Sequence, residues 1–548
     1  MVNTLKKNWA VLLIILIAAA CKQKEYNADL LIKNGVIYTV DSNFTLAEAV
    51  AIKGGKIIAV GKSDSLEKIY NAKEVVDAGG KPVYPGFIDA HAHFSEYGLD
   101  LQEVNLTDTK SWNEIVDSVL SYAKRNPDGW LIGHGWDQND WKVKRFPTKS
   151  RLDSLFPVRP VVLTRIDGHA IIANQAALNI AGIKPGQKVS GGLVETVNGK
   201  LTGVLVDNAK NLVLHKMPEP TDQVMQQALL DAQKNCFAVG LTTVDDPGEP
   251  YTMVNVVEQL QHKGALKMRI YMMLADNPDN YEYLFKRGVY KTPRLDVRAF
   301  KVYADGALGS RGACLLKPYS DTNTTGFLLN TQKHYQEVAE KLAAKGFQMC
   351  THAIGDSANR VMLKIYASVL KGKNDRRWRI EHAQVVAPED MKYFKDFNII
   401  PSVQPTHATS DMSWAIKRLG PQRIKNAYAN KELLEQNGWI ALGTDFPVEN
   451  INPIYTFYAA VERKDLKGYP AHGFQPENAL NREQALRGMT IWAAKANFEE
   501  KEKGSIEPGK YADLVILDQD LMKTKGNELA RTTVLKTYVN GEKVYEKK

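Results

Sequence analysis

Cysteine is nearly absent from this chain, with four in 548 residues, at positions 21, 236, 314 and 350. So few scattered thiols provide no disulfide framework, and buried free thiols are the expected state of Cys236, Cys314 and Cys350. Long apolar runs are missing too, apart from residues 9–20, a stretch too short to span a bilayer comfortably. No basic run carries interleaved aromatics, so the formal charge of +9 reads as solvated lysine rather than a nucleic-acid surface. What remains is ordinary: 44% hydrophobic and 24% charged residues describe a globular protein. Its length exceeds one compact core and predicts a large domain with a smaller one.

The amino terminus differs in kind. Lys6 and Lys7 precede the apolar run, and small residues lead from it to Cys21. That order describes an export signal. Ala18-Ala19-Ala20-Cys21 resembles the lipobox of bacterial lipoproteins, without the usual leucine at the place of Ala18. The resemblance implies that residues 1–21 comprise a signal peptide, cleaved before Cys21, and the lipidated Cys21 itself, with a polar tether over residues 22–27. The protein would then be exported and lipid-anchored to the bacterial cell envelope, on a periplasmic or surface face. An ordinary cleaved signal or a short anchor is the alternative.

Beyond the tether, β-rich runs flank Asn34-Gly35 and Gly54-Gly55, and each pair predicts a hairpin. The C-terminus repeats the style, with runs at 513–517, 534–539 and 544–545 and a turn at Asn540-Gly541. Two β-rich ends predict a small β-sandwich domain formed from both termini, residues 28–83 and 500–548. Between them, residues 84–499 alternate strands and helices. Strands are expected at 241–245, 268–273, 297–303, 347–351, 378–382, 399–403 and 439–443, after a first one that runs to His91. Eight strands in β/α alternation predict an α/β fold, a (β/α)8 TIM-like barrel, with residues from about 94 to 221 inserted after the first strand.

The first strand carries Pro85-Gly86-Phe87-Ile88-Asp89-Ala90-His91-Ala92-His93. An apolar stretch feeds into it and predicts one buried strand, in which positions i and i+2 share a side. His91 and His93 can therefore aim at one point, as half a metal site or as two packed, hydrogen-bonded side chains. The ends of later strands carry the same class of residue: Lys301, His352, His382 and Asp445. Neutral imidazole is a frequent metal ligand, and the C-terminal ends of barrel strands are where such folds carry chemistry. Four histidines and an aspartate converging there predict a metal centre. A Gly-rich loop after the fourth strand brings Asp305, Ser310 and Arg311 to the same mouth, and Gln404 and His407 follow the seventh. His134, His215, His262, His334 and His472 are read as surface or structural.

From Ala28 onward the chain resembles the amidohydrolase superfamily, in particular the branch that includes N-substituted formamide deformylases. The motifs that carry the resemblance are PGFIDAHAH, KVYADGALGSRGA, THAIGDSANR, IEHAQ and GTDFPV, with GSIEPGKYADLVILD near the C-terminus. It implies two divalent metal ions, usually zinc: His91, His93 and Asp445 on one, His352 and His382 on the other. Lys301 would bridge them after carboxylation by carbon dioxide. Burial and neighbouring cations give the neutral amine which that chemistry needs, and a mononuclear site with Lys301 unmodified is the alternative.

The implied reaction is hydrolysis of a non-peptide C–N bond (amide, imide, formamide or cyclic amide) by a metal-bridging hydroxide. Asp445 would act as general base and then general acid. The segments GHGWDQNDW and RIDGHA look like those that close over the metal site in the resembling branch. Trp136 would then pack on an apolar part of the substrate, and Asp137 and His169 would bond its polar groups, against lid packing and turn chemistry. Arg311 is a candidate for a substrate carboxylate or a salt bridge, Gln404 a further pocket residue, and His407 a carbonyl ligand or oxyanion donor. The expected partners are a small-molecule amide-type substrate and a membrane, with no nucleic acid and a homo-oligomer left open. An esterase, lactonase or deaminase on the same centre and a catalytically inactive surface binding lipoprotein are the competing readings.

Overall fold

Eight parallel strands, paired in chain order, build the centre of the computed structural model, which describes residues 26–548. They are β1 (Phe87–Asp89), β2 (Leu241–Glu249), β3 (Arg269–Ala275), β4 (Leu295–Tyr303), β5 (Gln348–Ala353), β6 (Arg379–His382), β7 (Ile400–Val403) and β8 (Ala441–Leu442). The seam between the last and the first is bridged by the Ala90 N–H donating to Leu442 O (3.2 Å) and the Asp445 N–H donating to His91 O (2.8 Å). Gly443 permits this approach, because a Cβ there would lie 2.6 Å from His91 N.

Strand alternation sorts the side chains. In β4, Phe300 and Val302 face outward into the main apolar cluster with Tyr281 and Leu284 of the surrounding helices. Ala299 faces inward, where it meets Tyr271, Met273 and Cys350 in a fully buried plug, and Lys301 and Tyr303 stack above it on the same face. Cys236 and Cys350 are buried, and all three cysteines of the described residues are free.

The β-rich ends form two sheets. One runs Lys56–Gly61, Ala49–Lys53, Ala28–Lys33, Ala72–Asp77; the other runs Glu542–Glu546, Val534–Val539, Leu514–Leu517, Pro82–Pro85, Val36–Tyr38, Leu46–Ala47. The second thus draws strands from both termini. Leu30, Val50 and Ile52 of the first share one apolar cluster with Ile37, Val83, Leu514 and Tyr538 of the second.

Two local expectations are corrected. Asn34-Gly35 is not a hairpin turn but a crossing between sheets, since Ala28–Lys33 and Val36–Tyr38 take different partners. Nor does one strand run from Lys81 to the histidines. Pro82–Pro85 belongs to the end sheet and pairs with Leu514–Leu517, whereas β1 starts only at Phe87, after Gly86. A Cβ at Gly86 would collide with Thr242, so the chain changes sheet where no side chain is in the way.

Between β1 and β2 lies a six-stranded sheet in the order Gly192–Val197, Lys200–Asp207, Ala170–Ala173, Val161–Arg165, Leu131–Trp136, Val104–Asn105. It follows a short helix, α1 (Phe94–Asp100), which begins directly after His93. Among the described residues no helix is long and apolar enough to cross a membrane. The export signal, Cys21 and most of the tether lie outside the described residues.

Candidate metal centre

His91 and His93 stand beyond the end of β1 rather than inside it. The i, i+2 rule therefore does not set their directions. Their rings meet edge to face at 78° with centroids 5.6 Å apart; His91 is fully buried, and His93 opens α1. Further imidazoles continue the row. His91 and His382 are 4.9 Å apart, His382 and His352 4.5 Å, and His352 and His169 5.0 Å.

Asp445 sits against this row. Its Oδ1 lies 3.3 Å from His93 Nε2 and 3.5 Å from His91 Nε2, and its Oδ2 lies 2.9 Å from His407 Nε2 and 4.0 Å from His382 Nδ1. Donor atoms of His91, His93 and Asp445 all lie within 4.8 Å of one another, and so do those of His382, His407 and Asp445. Both His382 (φ 70°) and Asp445 (φ 67°) hold left-handed backbone, unusual for a side chain with a Cβ. Such conformations cost about 1–3 kcal/mol and persist where surrounding structure over-determines them.

The donor set fits metal ions. His352 Nε2, His382 Nδ1 and Asp445 Oδ1 are buried and have no hydrogen-bond partner, an expensive condition for polar atoms that face nothing. Burial holds His352 and His382 well below the usual histidine pKa, so each keeps a lone pair. Burial, then the nearby Lys301 charge, brings His91 down to about 4. Its Nδ1–H donates to Glu381 Oε2 at 2.7 Å, which leaves Nε2 unprotonated. Lys301 Nζ, wholly buried, lies 3.0 Å from that Nε2, and burial pushes its pKa down to about 8. Nitrogen and carboxylate oxygen in this proportion suit zinc.

The other candidates separate. His169 joins the centre: its Nδ1 meets Asp207 Oδ1 at 2.6 Å, and its ring faces His352. His407 joins as well, held between Asp445 and Glu449 Oε1 (3.0 Å from Nδ1). Although burial opposes it, these two carboxylates raise the His407 pKa well above the ordinary value. Gln404 is buried beside them at the end of β7, with Oε1 unpartnered.

Trp136 is corrected. It has no exposed surface, packs with Leu131, Leu163 and Trp141 in the core of the insertion, and donates Nε1–H to Leu163 O at 2.8 Å, so it offers no face to a substrate. Asp137 is engaged in turn chemistry, accepting the Asn139 N–H at 2.8 Å and pairing with Arg165. Arg311 pairs with Asp321 at 2.9 Å on the outer side of its loop. Asp305 accepts backbone N–H bonds from Cys314, Ile354 and Gly355 and pins that loop to the end of β5, while Ser310 Oγ donates to Ala307 O within the same loop.

Glu381 and Asp207 were not singled out from the sequence. Glu381 had a usable signal, an acid inside the apolar strand that ends in His382. Asp207 had none, because its role depends on the approach of Gly306 and Gly312, where a Cβ would collide with its carboxylate.

A sequence profile of the amidohydrolase family matches residues 74–545. Protein LONG AFTER FAR-RED 3 of Arabidopsis thaliana is 33% identical over 538 residues, covering 94% of this chain and 92% of its own length. The N-substituted formamide deformylase of Arthrobacter pascens is 28% identical over 545 residues, covering 95% of this chain and 98% of its own. Among solved structures, an uncharacterized metal-dependent hydrolase from Pyrococcus horikoshii aligns with a TM-score of 0.75 at 28% identity, covering 90% of this chain and 98% of that one.

Proposed function

The chain belongs to the amidohydrolase family of metal-dependent hydrolases, and from that premise we propose that it cleaves a non-peptide C–N bond of a small-molecule amide. The observation that supports this reading most is Asp445. One oxygen lies among His91 and His93 and the other beside His407 and His382, so a single carboxylate reaches both halves of the centre.

In this proposal His91, His93 and Asp445 would hold one zinc ion and His352 and His382 the second, and Lys301, once carboxylated, would serve both. Such ions, when bound, polarise a carbonyl and acidify water to near neutrality. The depressed pKa of Lys301 supplies a neutral amine; its nitrogen would bond the carbon of carbon dioxide with loss of a proton, and the resulting carbamate would offer two oxygens as donors.

Asp445 stays ionised, since His407 and His93 outweigh the burial that would protonate it. Its carboxylate would take a proton from the attacking water and pass it to the leaving nitrogen, without which the amine departs poorly. Asp207 orients His169 through Nδ1, leaving Nε2 for a polar atom of the substrate. His407 fixes the Asp445 carboxylate, and Gln404 offers its unpartnered oxygen to a donor on the substrate. The deformylase similarity makes N-formyl amines the first compounds to try. Export and lipid anchoring through Cys21 complete the proposal and rest on the sequence alone.

The test is a panel of N-formyl amines, N-acyl amines, cyclic amides and matched esters, offered to zinc-loaded protein with bicarbonate, with every product read by mass spectrometry. Amine release lost in Asp445→Asn is the expected result. Turnover of the esters alone, or none by fully loaded protein, would overturn the C–N assignment.

A further inference from the structure

A second group of metal-ligating side chains lies outside the barrel, where α1 meets the insertion. Asp100 is the last residue of α1, Glu103 lies on the turn that follows, and His134 comes from the strand Leu131–Trp136. Their donor atoms all lie within 4.8 Å of one another. His134 Nδ1 is 3.4 Å from Asp100 Oδ1 without making a hydrogen bond, and it is buried with no other partner. Asp100 is only 8% exposed, and among the described residues its carboxylate accepts no hydrogen bond. An unpartnered, almost fully buried carboxylate thus faces an unpartnered imidazole nitrogen.

No base balances these acids. The charges acting on Asp100 are Glu96 and Glu103, and the charge acting on Glu103 and on His134 is Glu96. Burial and like charge raise the Asp100 carboxyl well above its ordinary range and the Glu103 carboxyl to about 7, and burial brings His134 down to about 4. Buried like charges with no counter-ion are costly, and a bound cation in place of the protons would remove that cost. The neutral imidazole and the carboxylates are the forms in which such side chains bind metal.

We propose that Asp100, Glu103 and His134 form a divalent-cation site separate from the barrel centre, which ties the insertion to the helix that begins at His93. An imidazole with two carboxylates favours a transition ion such as zinc or manganese over calcium or magnesium, which take oxygen donors. Zinc bonds of about 2.0–2.2 Å need donor pairs within roughly 4.4 Å, a distance that small side-chain rotations reach.

The test compares the purified full chain with Glu103→Gln and His134→Gln. Each is stripped with chelator, reloaded with zinc chloride, desalted, and measured for zinc content and melting temperature. Each variant is expected to retain about one zinc fewer than the parent. The barrel's own content cancels, because only the difference is read.

Partly buried Glu103→Gln also gives an independent sign. In chelator it should melt above the parent, since one of the crowded carboxylates is gone, and with zinc the order should reverse. Equal zinc retention by the parent and both variants would overturn the proposal, as would a Glu103→Gln variant that melts higher with and without zinc.

Discussion

Glu381 Oε2 accepts the Nδ1–H of His91 at 2.7 Å, and neither side chain has any exposed surface. The bond fixes the tautomer that leaves Nε2 bare toward the centre. Glu381→Gln keeps the shape but weakens the acceptor, and partners of this kind contribute roughly 10–100-fold to metal affinity. A loss of that size, read by competition with a chelator, is expected, with the fold intact by circular dichroism.

Lys301 has the same face of β4 as Ala299, yet no carboxylate within salt-bridge distance. Lys301→Ala should lower metal retention by about one ion per chain. Acetate or propionate, placed where the carbamate would stand, should restore part of it. Metal content by mass spectrometry decides this, and intact mass with and without bicarbonate reports the carbamate directly.

Trp136 and His169, both on segments of the insertion, should behave in opposite ways. Trp136→Ala removes a core ring and should cost about 3–5 kcal/mol of stability, with kcat of the folded fraction unchanged. His169→Ala leaves the buried Asp207 carboxylate without its partner and should cost a smaller amount, about 1–3 kcal/mol, with metal content near the parent's, while lowering kcat/KM roughly 10²-fold. Thermal melts beside steady-state rates separate the two.

Asp513 and Arg269 lock the start of the strand Leu514–Leu517 to β3 through bonds of 2.6 and 3.0 Å. Burial alone would raise the Asp513 pKa, but Arg269 outweighs it and holds it below the ordinary value of 3.8. A depressed folded pKa contributes stability that is fully present above the unfolded value and lost as pH falls through the folded one. Asp513→Asn should cost about 3–5 kcal/mol at neutral pH. Its deficit should shrink as pH drops below about 4, measured by urea midpoints at stepped pH.

Gly443 lies where β8 meets the chain at His91. Gly443→Ala puts a Cβ 2.6 Å from His91 N and 2.9 Å from Asp89 Oδ1, both in rigid surroundings. Overpacking of this sort costs about 1–3 kcal/mol, and it displaces Asp445 relative to His91. Weaker metal retention, out of proportion to the fall in melting temperature, is the expected outcome.

The barrel strands and their terminal residues were legible because a strand that is buried on both faces leaves a local trace: a short apolar run ending in His, Lys or Asp. Asp207 left no such trace. It lies beside His169 because their strands pair, the Asp207 N–H donating to His169 O at 2.7 Å, and two glycines of a distant loop leave room for its carboxylate; contacts between remote segments have no local pattern. Asn34-Gly35 misled for the converse reason. A sound turn signal was overridden by pairing with Pro82–Pro85, a strand that itself joins Leu514–Leu517. Trp136 shows the limit of motif reading, since only the packing of Leu131, Leu163 and Trp141 shows which way the ring points. The Asn198-Gly199 turn between Gly192–Val197 and Lys200–Asp207 is a hairpin within the insertion whose signal is local.

The seam that places Asp445 against His91 joins the first barrel strand to the last. During synthesis, His91 and His93 emerge long before their carboxylate partner, so metal capture by the complete ligand set belongs to the end of translation. A chain cut short before β8 would carry most of the imidazoles and still lack the centre. Loading of the barrel centre with metal therefore serves as a check on completeness that a chain lacking β8 cannot pass.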